Sequence, residues 1–289
     1  MAVAVSEFTA LEQTAFLTVY ARALDSRWAR PILGDTLAEG IVGQIDYDFP
    51  AFAIPTNVIC QTALRAKMLD DRVRDFTARH PEAVVVDLGA GLSTAALRVQ
   101  PPAGVDWYSV DLPRVMDLRA RLVPPAPGEQ SVTASLGTDD WAGSIPGDRP
   151  TMLIADGLFA FMRVQLIVEL FGQITDHFRA GELAFNDYGR VGRVSWAAMK
   201  AAPRGMFAVI GRVWANPGFA DAHVPETWHP QLRLIEEASL THAPEVDLFP
   251  RRARALTRLA GRTAAGARKA RILRYGFGLN PGPPRSTPA

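Results

Sequence analysis

Cysteine is almost absent from this chain of 289 residues, in which Cys60 is the only one. A single cysteine excludes an internal disulfide framework and a metal site built from several thiolates. The chain is therefore expected in a reducing cytoplasm. The His-Glu-x-x-His pattern of zinc peptidases and the Gly-x-Ser-x-Gly turn of serine hydrolases are also absent. Neither a catalytic metal nor a serine nucleophile is predicted.

Long apolar runs and a strong net charge are missing as well. The richest apolar run, 152–162, contains Asp156 and is too short to cross a bilayer. The N-terminal segment has no basic start and contains Glu7 and Glu12, so no signal peptide is expected. A net charge of +1 gives no general attraction to nucleic acid or to a membrane. We therefore predict neither as a partner.

The basic residues that are present cluster near the C-terminus. The segment 251–274 contains nine arginine or lysine residues and no acidic residue. Such a segment can follow a phosphate backbone. However, it contains no aromatic residue, and the rest of the chain balances its charge. A solvated helix face is the favoured interpretation.

The most informative motif is a strand-like run that leads into two glycines. Residues 84–92 read V-V-V-D-L-G-A-G-L, which is typical of a buried parallel strand followed by a turn. Gly89 and Gly91 let the backbone turn sharply and approach a ligand closely. A second strand-like run ends at Asp111, about 20 residues later, where a carboxylate can bind ribose hydroxyls. The motif therefore predicts a nucleoside-containing cofactor.

Two cofactor classes fit a glycine turn followed by such an acid. A dinucleotide site needs a third small residue, where this chain has Thr94, and it binds pyrophosphate at a helix N-terminus. Asp87 would lie poorly beside pyrophosphate but suits a ligand that carries an ammonium and a sulfonium. The motif favours S-adenosylmethionine over NAD, and an NAD-dependent oxidoreductase is the less favoured reading. A turn that serves packing alone is a further alternative, against which Asp111 argues.

Strand and helix patterns alternate through the middle of the chain. Strands are predicted at 83–89, 106–112, 131–136, 151–157, 182–188 and 271–277. Helices are predicted at 11–24, 36–45, 62–79, 93–99, 113–122 and 163–179. This alternation predicts βαβ units and a mainly parallel sheet. The stretch 190–250 is less regular, and the Pro-rich tail 280–289 is expected to be disordered.

Seven sets of residues, in order, resemble motifs of one enzyme family. They are Tyr20–Ser26 with Gly34-Asp35, Leu64-Arg65 with Asp70-Asp71, Val85–Leu92, Val110–Pro113, Trp141 after Ser135-Leu136, Asp156–Met162, and His229-Pro230 with Arg271–Phe277. On these residues the chain resembles class I methyltransferases of the leucine carboxyl methyltransferase superfamily. Within it, the chain is most similar to O-methyltransferases of polyketide biosynthesis, of the tetracenomycin type.

The resemblance implies an α/β, Rossmann-like fold with a central, mainly parallel seven-stranded sheet. Residues 1–80 are expected to form an N-terminal helical cap packed on a core of 81–279. An insertion at about 190–230 is expected to cover the substrate as a lid. S-adenosylmethionine is the implied cofactor and S-adenosylhomocysteine the product. The oligomeric state is left open.

The same resemblance implies a cofactor site. Arg65 matches the family arginine that holds the cofactor's carboxylate, which suits a bidentate guanidinium. Ser135 and Leu136 match the adenine side, and Asp156 is either a cofactor contact or a helix N-cap. The complete predicted cofactor set is Arg65, Asp87, Gly89, Gly91, Asp111, Leu112, Ser135, Leu136 and Asp156.

Three departures from the family pattern concern the substrate side. Ser93–Ala95 replace an acid and an arginine, Asp156 replaces a glutamate, and Phe161 replaces a tyrosine. These changes hardly affect the cofactor argument. They keep open the alternative that the chain is a non-catalytic cofactor-binding or interaction protein.

The acceptor is predicted to be a small aromatic, polyketide-like molecule that is methylated on a carboxylate or a phenolic hydroxyl. His223 and His229 are candidate general bases. A phenol, with a pKa of about 10, would benefit from one, whereas a carboxylate needs none. Five aromatic residues can line an apolar pocket or form a core under a lid; they are Trp196, Phe207, Trp214, Phe219 and Trp228.

Overall fold

A seven-stranded sheet forms the centre of the molecule in the computed structural model, which describes residues 2–278. The strands of this sheet are β3 (Val84–Leu88), β4 (Asp106–Asp111), β5 (Glu129–Thr133), β6 (Thr151–Ala155), β7 (Gly181–Asp187), β8 (Arg233–Ser239) and β9 (Arg271–Phe277). Two further short strands, β1 (Val3–Ala4) and β2 (Ile45–Asp46), pair in parallel with each other.

Helices precede, connect and follow the strands. They are α1 (Thr14–Ser26), α2 (Thr36–Val42), α3 (Thr56–Arg79), α4 (Ala95–Val99), α5 (Pro113–Leu122), α6 (Val164–His177), α7 (Arg193–Lys200), α8 (Met206–Val213), α9 (Arg251–Gly261) and α10 (Ala264–Ala267). Within residues 2–278, no helix is long and apolar enough to span a membrane.

The strand order is β5-β4-β3-β6-β7-β9-β8. The five strands from β3 to β7 are parallel to one another, and β9 runs antiparallel to both β7 and β8. The chain winds to one side of β3 through β4 and β5, and then to the other side through β6. In open α/β sheets, ligands bind at such a switch point, beyond the carboxyl ends of the strands. The glycine motif follows β3 and therefore lies at this point.

Both faces of the sheet are buried at β3, in its centre, which explains the unbroken apolar run of this strand. Val84, Val86 and Leu88 pack on one face with apolar residues of α6. Val85 points to the other face, where α3 and α4 cover it. This alternation follows from the two-residue period of a strand.

The N-terminal region contributes to two different parts of the structure. Helix α3 begins at Thr56, immediately after Pro55, and packs directly on the sheet. Helices α1 and α2 form a separate apolar cluster that includes Met206 and Ile210 of α8. The region 1–80 thus supplies both a layer of the sheet sandwich and a support for the helices after β7.

The predicted fold class is confirmed, with differences in detail. Strand β5 ends at Thr133, so Ser135 and Leu136 follow the strand instead of lying within it. Strand β8 lies in the stretch that the sequence pattern left irregular. It is an edge strand with a register shift between Leu234 and Glu236, and the charges that protect such an edge hide its strand pattern. The tail 280–289 lies outside the described residues.

The basic segment 251–274 does not form one helix face. It contains α9, α10 and part of β9. Arg271 is buried and pairs with Asp187 and Glu237, and Arg274 pairs with Glu182 and Glu236. Part of the basic charge is therefore neutralised within the sheet.

Candidate functional site

A cavity of about 420 Å³ lies beyond the carboxyl ends of the parallel strands. Residues that directly follow β3, β4, β6 and β7 line it. The structure brings all nine predicted cofactor residues to this cavity, namely Arg65, Asp87, Gly89, Gly91, Asp111, Leu112, Ser135, Leu136 and Asp156.

The glycine turn needs glycine at both motif positions. The φ angles are +66° at Gly89 and +52° at Gly91, in the left-handed region that side chains disfavour. A Cβ at Gly89 would lie 2.9 Å from Cδ1 of Leu158, and one at Gly91 would lie 3.3 Å from Cβ of Ala15. The turn is therefore packed tightly between α1 and the loop after β6.

Asp111 ties the glycine turn to the end of β4. Its Oδ2 accepts a hydrogen bond from the Gly91 amide at 2.7 Å, and its Oδ1 accepts one from the Leu112 amide at 2.7 Å. Burial raises the pKa of Asp111, and these two amides oppose the shift. Each carboxylate oxygen has a second lone pair that remains available to a ligand hydroxyl.

Two arginines that the motif analysis did not assign hold the same turn from behind. Arg119 donates hydrogen bonds to the Ser93 carbonyl at 2.5 Å and to Gly91 at 3.3 Å. Arg22 donates to the Leu92 carbonyl at 2.8 Å. Arg22 lies within the first segment that resembles the family, so the sequence contained a signal for it. No sequence pattern pointed to Arg119, because its partners are distant in sequence.

The altered triplet after the second glycine belongs to a buried polar network. The Thr94 hydroxyl donates to Oδ2 of Asp35 at 2.8 Å and accepts from Arg98 at 2.7 Å. Asp35 pairs with Arg22, and Arg98 binds Asp70 through two nitrogens, at 2.8 and 2.9 Å. The two arginines and two aspartates balance in charge. Thr94 is thus an integral part of this network.

Asp87 is a buried carboxylate that faces the cavity without an ion-pair partner among the described residues. Burial raises its pKa to about 7; Asp156 and Glu129 add to the shift, and Arg119 opposes it. A carboxylate in such surroundings is stabilised by a cationic ligand. This chemistry fits an ammonium or a sulfonium.

Arg65 and Asp156 lie against each other in the cavity lining. Nε of Arg65 lies 2.6 Å from Oδ1 of Asp156, but the two atoms are not aligned for a hydrogen bond. Nη1 of Arg65 bonds to the hydroxyl of Tyr188, a cavity residue directly after β7 that sequence reasoning missed. Gly157 has a φ of +80°, and its amide donates to Asn186 at 2.5 Å. Arg65, Asp87, Asp111 and Asp156 are hereafter called the charged wall.

An apolar group of the cavity lining adjoins the charged wall through Tyr188, which contacts both Arg65 and Trp214. Its members come from the segment after β6 and from α7, α8 and the residue after α8, namely Phe161, Met162, Met199, Met206, Phe207, Ile210 and Trp214. The ring of Trp214 packs against Phe161 at 6.0 Å and against Tyr188 at 5.2 Å between centroids. Helices α7 and α8 together with Phe161 and Trp214 are hereafter called the apolar lid.

The sequence allowed two roles for the five aromatic residues between 190 and 230, which are lining a pocket and forming a core under a lid. Phe207 and Trp214 line the cavity. Phe219 is buried in the core beneath the sheet, and Trp228 packs against it at 5.5 Å. Trp196 is half-buried on α7 and does not line the cavity.

The two candidate bases lie away from the cavity lining. His223 is exposed, and its Nδ1 lies 2.6 Å from Oε2 of Glu226. The hydrogen bond and the charge of Glu226 raise the pKa of His223, which favours the protonated form and disfavours a base. His229 is half-buried, with its Nδ1 accepting from the Gln231 amide at 3.3 Å.

The adenine-side residues lie just after β5. The Ser135 amide donates to Oδ2 of Asp139 at 2.7 Å, which closes a turn. Leu136 packs against the core beside the cavity. Within residues 2–278, no group of three or more histidine, cysteine, aspartate or glutamate side chains is placed to hold a metal ion.

Comparison with known structures agrees with the fold. The crystal structure of a candidate methyltransferase from Thermobifida fusca superimposes with a TM-score of 0.55. The superposition covers 90% of this chain and 94% of that one. At 16% sequence identity, this similarity concerns the fold alone.

Sequence relatives are more informative. The tetracenomycin polyketide synthesis O-methyltransferase of Streptomyces glaucescens is 34% identical over 236 residues, covering 82% of this chain and 85% of that protein. An S-adenosyl-L-methionine-dependent methyltransferase of Gibberella zeae is 29% identical over 202 residues, covering 63% of this chain and 68% of that protein. The model of the leucine carboxyl methyltransferase family matches residues 15–175. The predicted family and the predicted cofactor, S-adenosylmethionine, are confirmed. The chain belongs to the leucine carboxyl methyltransferase family.

Proposed function

We propose that this chain transfers the methyl group of S-adenosylmethionine to an oxygen of a small, largely aromatic, polyketide-like acceptor. A carboxylate is the favoured nucleophile, and a phenolic hydroxyl is the other choice. The proposal includes a cytoplasmic location, which the single cysteine favours. It includes no nucleic-acid or membrane partner.

One observation carries the proposal: a single cavity has two chemically different sides. The charged wall offers carboxylates and a guanidinium to a charged nucleoside ligand. The apolar lid offers aromatic and methionine side chains to a second, apolar ligand. Methionine is flexible and polarisable, so it can adapt to a bulky acceptor. Two ligands bound side by side in this cavity would bring their reacting groups together.

Each residue of the charged wall has a role that its chemistry suits. Asp111 would accept hydrogen bonds from the ribose, and Arg65 would bind the cofactor's carboxylate through its planar fork. Asp87 would lie near the cationic portion. Bound S-adenosylmethionine supplies an already activated methyl group. The protein therefore has mainly to align the two ligands and exclude water, which the apolar lid can do.

The lining of the cavity favours a carboxylate over a phenol. No histidine lines it among the described residues, and Asp87, whose pKa is about 7, is assigned to the cationic portion of the cofactor. The Tyr188 hydroxyl is already bonded to Arg65. A carboxylate is ionised at neutral pH and needs no base, whereas a phenol does. The leucine carboxyl methyltransferase family and the name of the Streptomyces relative support an oxygen acceptor.

The test uses an aromatic acid and its phenolic analogue as competing acceptors. We expect the release of S-adenosylhomocysteine and a methyl ester on the acid, identified by mass spectrometry. With saturating cofactor, turnover should show no ionisation between about pH 6 and 8. Exclusive methylation of the phenol would contradict the carboxylate choice. Tight cofactor binding without turnover of any acceptor would instead identify a non-catalytic binding protein.

A further inference from the structure

The hydroxyl of Thr62 lies in the cavity without a hydrogen-bond partner among the described residues. Thr62 of α3 is only 2% exposed, and it lines the cavity. Within residues 2–278, its hydroxyl makes no hydrogen bond. Thr77 on the same helix and Thr175 on α6 differ, because their hydroxyls donate to the carbonyl four residues earlier, each at 2.9 Å. The Thr62 hydroxyl is not itself fully buried, so it is open to the cavity and free to bond to a ligand there.

The position of Thr62 on α3 indicates which ligand it meets. Val58, Thr62, Arg65 and Ala66 line the cavity at helical spacing, so they share one face of α3. Val58 belongs to the apolar cluster that includes Met206 of the lid. Arg65, at the other end, belongs to the charged wall. Thr62 lies one turn before Arg65 and has the hydroxyl nearest to it along this face.

The charged wall around Arg65 carries both signs of charge. Arg65 is cationic, while Asp87 and Asp156 are acidic and close enough for Asp156 to raise the pKa of Asp87. A ligand group with both a carboxylate and an ammonium matches this arrangement. A hydroxyl can donate a hydrogen bond to the carboxylate or accept one from the ammonium.

We infer that the Thr62 hydroxyl binds the amino-acid portion of the cofactor, next to Arg65. This inference rests on the proposed function, because it requires S-adenosylmethionine in this cavity. It adds a residue that none of the sequence motifs contains. Thr62 is thereby a cofactor-binding residue, and we expect its hydroxyl, which has no protein partner, to contribute little to the stability of the free protein.

Replacement by valine separates binding from stability. Valine has nearly the shape of threonine but lacks the hydroxyl. Where the hydroxyl is unpaired, its removal is neutral or stabilising for the free protein. We therefore expect Thr62→Val to keep or raise the melting temperature. Thr77→Val is the matched control, because it removes a satisfied hydroxyl from the same helix.

The experiment is a calorimetric titration of the full chain with two probes. S-adenosylhomocysteine contains the amino-acid portion, and 5′-methylthioadenosine lacks it. Thr62→Val should weaken S-adenosylhomocysteine binding about tenfold or more, the loss expected for a hydrogen bond to a charged group. Binding of 5′-methylthioadenosine should be unchanged. Thr62→Ser, which keeps the hydroxyl, should bind S-adenosylhomocysteine nearly as the wild type does.

The possible outcomes are distinct. Failure of the wild-type chain to bind S-adenosylhomocysteine would overturn the proposed function itself. Wild-type binding with unchanged affinity in Thr62→Val would overturn only the role of Thr62. An equal loss for both probes would overturn the assignment to the amino-acid portion, as would an effect confined to the acceptor's KM. A loss of stability in Thr62→Val greater than that in Thr77→Val would identify a structural role instead.

Discussion

The charged wall and the apolar lid face the same cavity but are stabilised in different ways. The wall lies next to a glycine turn that Asp111, Arg22 and Arg119 hold through hydrogen bonds to its backbone. The lid makes mainly apolar and ring contacts, and α7 contains no buried residue. Hydrogen bonds fix positions closely, whereas apolar contacts allow repacking. The difference fits the proposed function, in which the cofactor side is closely fixed and the acceptor side is adaptable.

The largest expected effect on cofactor affinity comes from substitution of Asp111 in the charged wall. Asp111→Ala removes the acceptor of the Gly91 and Leu112 amides as well as the proposed ribose contact. We expect a loss of about 1.5–3 kcal/mol, or roughly ten- to a hundredfold in S-adenosylhomocysteine affinity. Calorimetric titration measures it. Asp111→Asn keeps one acceptor oxygen and should lose less. Unchanged affinity in the alanine variant would contradict the assignment.

The second prediction concerns the pH dependence of the wall. Asp87 has a pKa of about 7 in the free protein, well above the value of about 3.9 of an unfolded aspartate. At pH values between these two pKa values, the folded state holds a proton that the unfolded state releases. The free energy of unfolding therefore falls as pH rises from about 4 to 7. A bound ammonium favours the ionised carboxylate. Affinity for S-adenosylhomocysteine should therefore rise about tenfold from pH 6 to pH 8.

Titrations at several pH values test this expectation against Asp87→Asn. The amide cannot ionise, so its variant should show weaker binding with a flat dependence on pH between 6 and 8. It should also lose the decline in melting temperature between pH 5 and 7. A flat profile in the wild type would show that Asp87 does not respond to the cofactor's charge.

The sequence predicted the wall better than the lid, for a physical reason. Asp87, Gly89, Gly91 and Asp111 lie within one strand–helix–strand unit, where spacing alone fixes their relative positions. Arg65 came from the family resemblance, because no local pattern distinguishes it from a solvated arginine. The structure places all of these on one cavity.

Residues brought together by the sheet order were not predictable in this way. Tyr188 reaches Arg65 across 123 residues of sequence. Arg119 supports the glycine turn from another helix. In the irregular region, composition could not tell Trp214, which lines the cavity, from Phe219, which packs in the core. Strand β8 escaped detection because its edge position tolerates charge.

The third prediction tests the lid. Trp214→Ala removes a ring that packs on Phe161 and Tyr188. We expect the KM of the aromatic acceptor to rise about fivefold to tenfold, in line with aromatic contacts worth roughly 1 kcal/mol. The affinity for S-adenosylhomocysteine should hardly change. Trp196→Ala is the matched control, since this residue lies on α7 outside the cavity lining. Equal effects of both variants would indicate general disruption of the lid.

The smallest expected effect is at His223 and His229. Neither lines the cavity, and Glu226 raises the pKa of His223, so neither is placed to take a proton from an acceptor there. With an aromatic acid, His223→Ala and His229→Ala should each keep turnover within about twofold of the wild type, far from the 10²–10⁴-fold loss of a general base. Steady-state rates at saturating cofactor from pH 6 to 8 measure this. A collapse of turnover in either variant, with a wild-type rate that rises through a pKa of about 6.5, would reveal a histidine base. Such a result would require the segment 223–229 to move to the cavity when the acceptor binds.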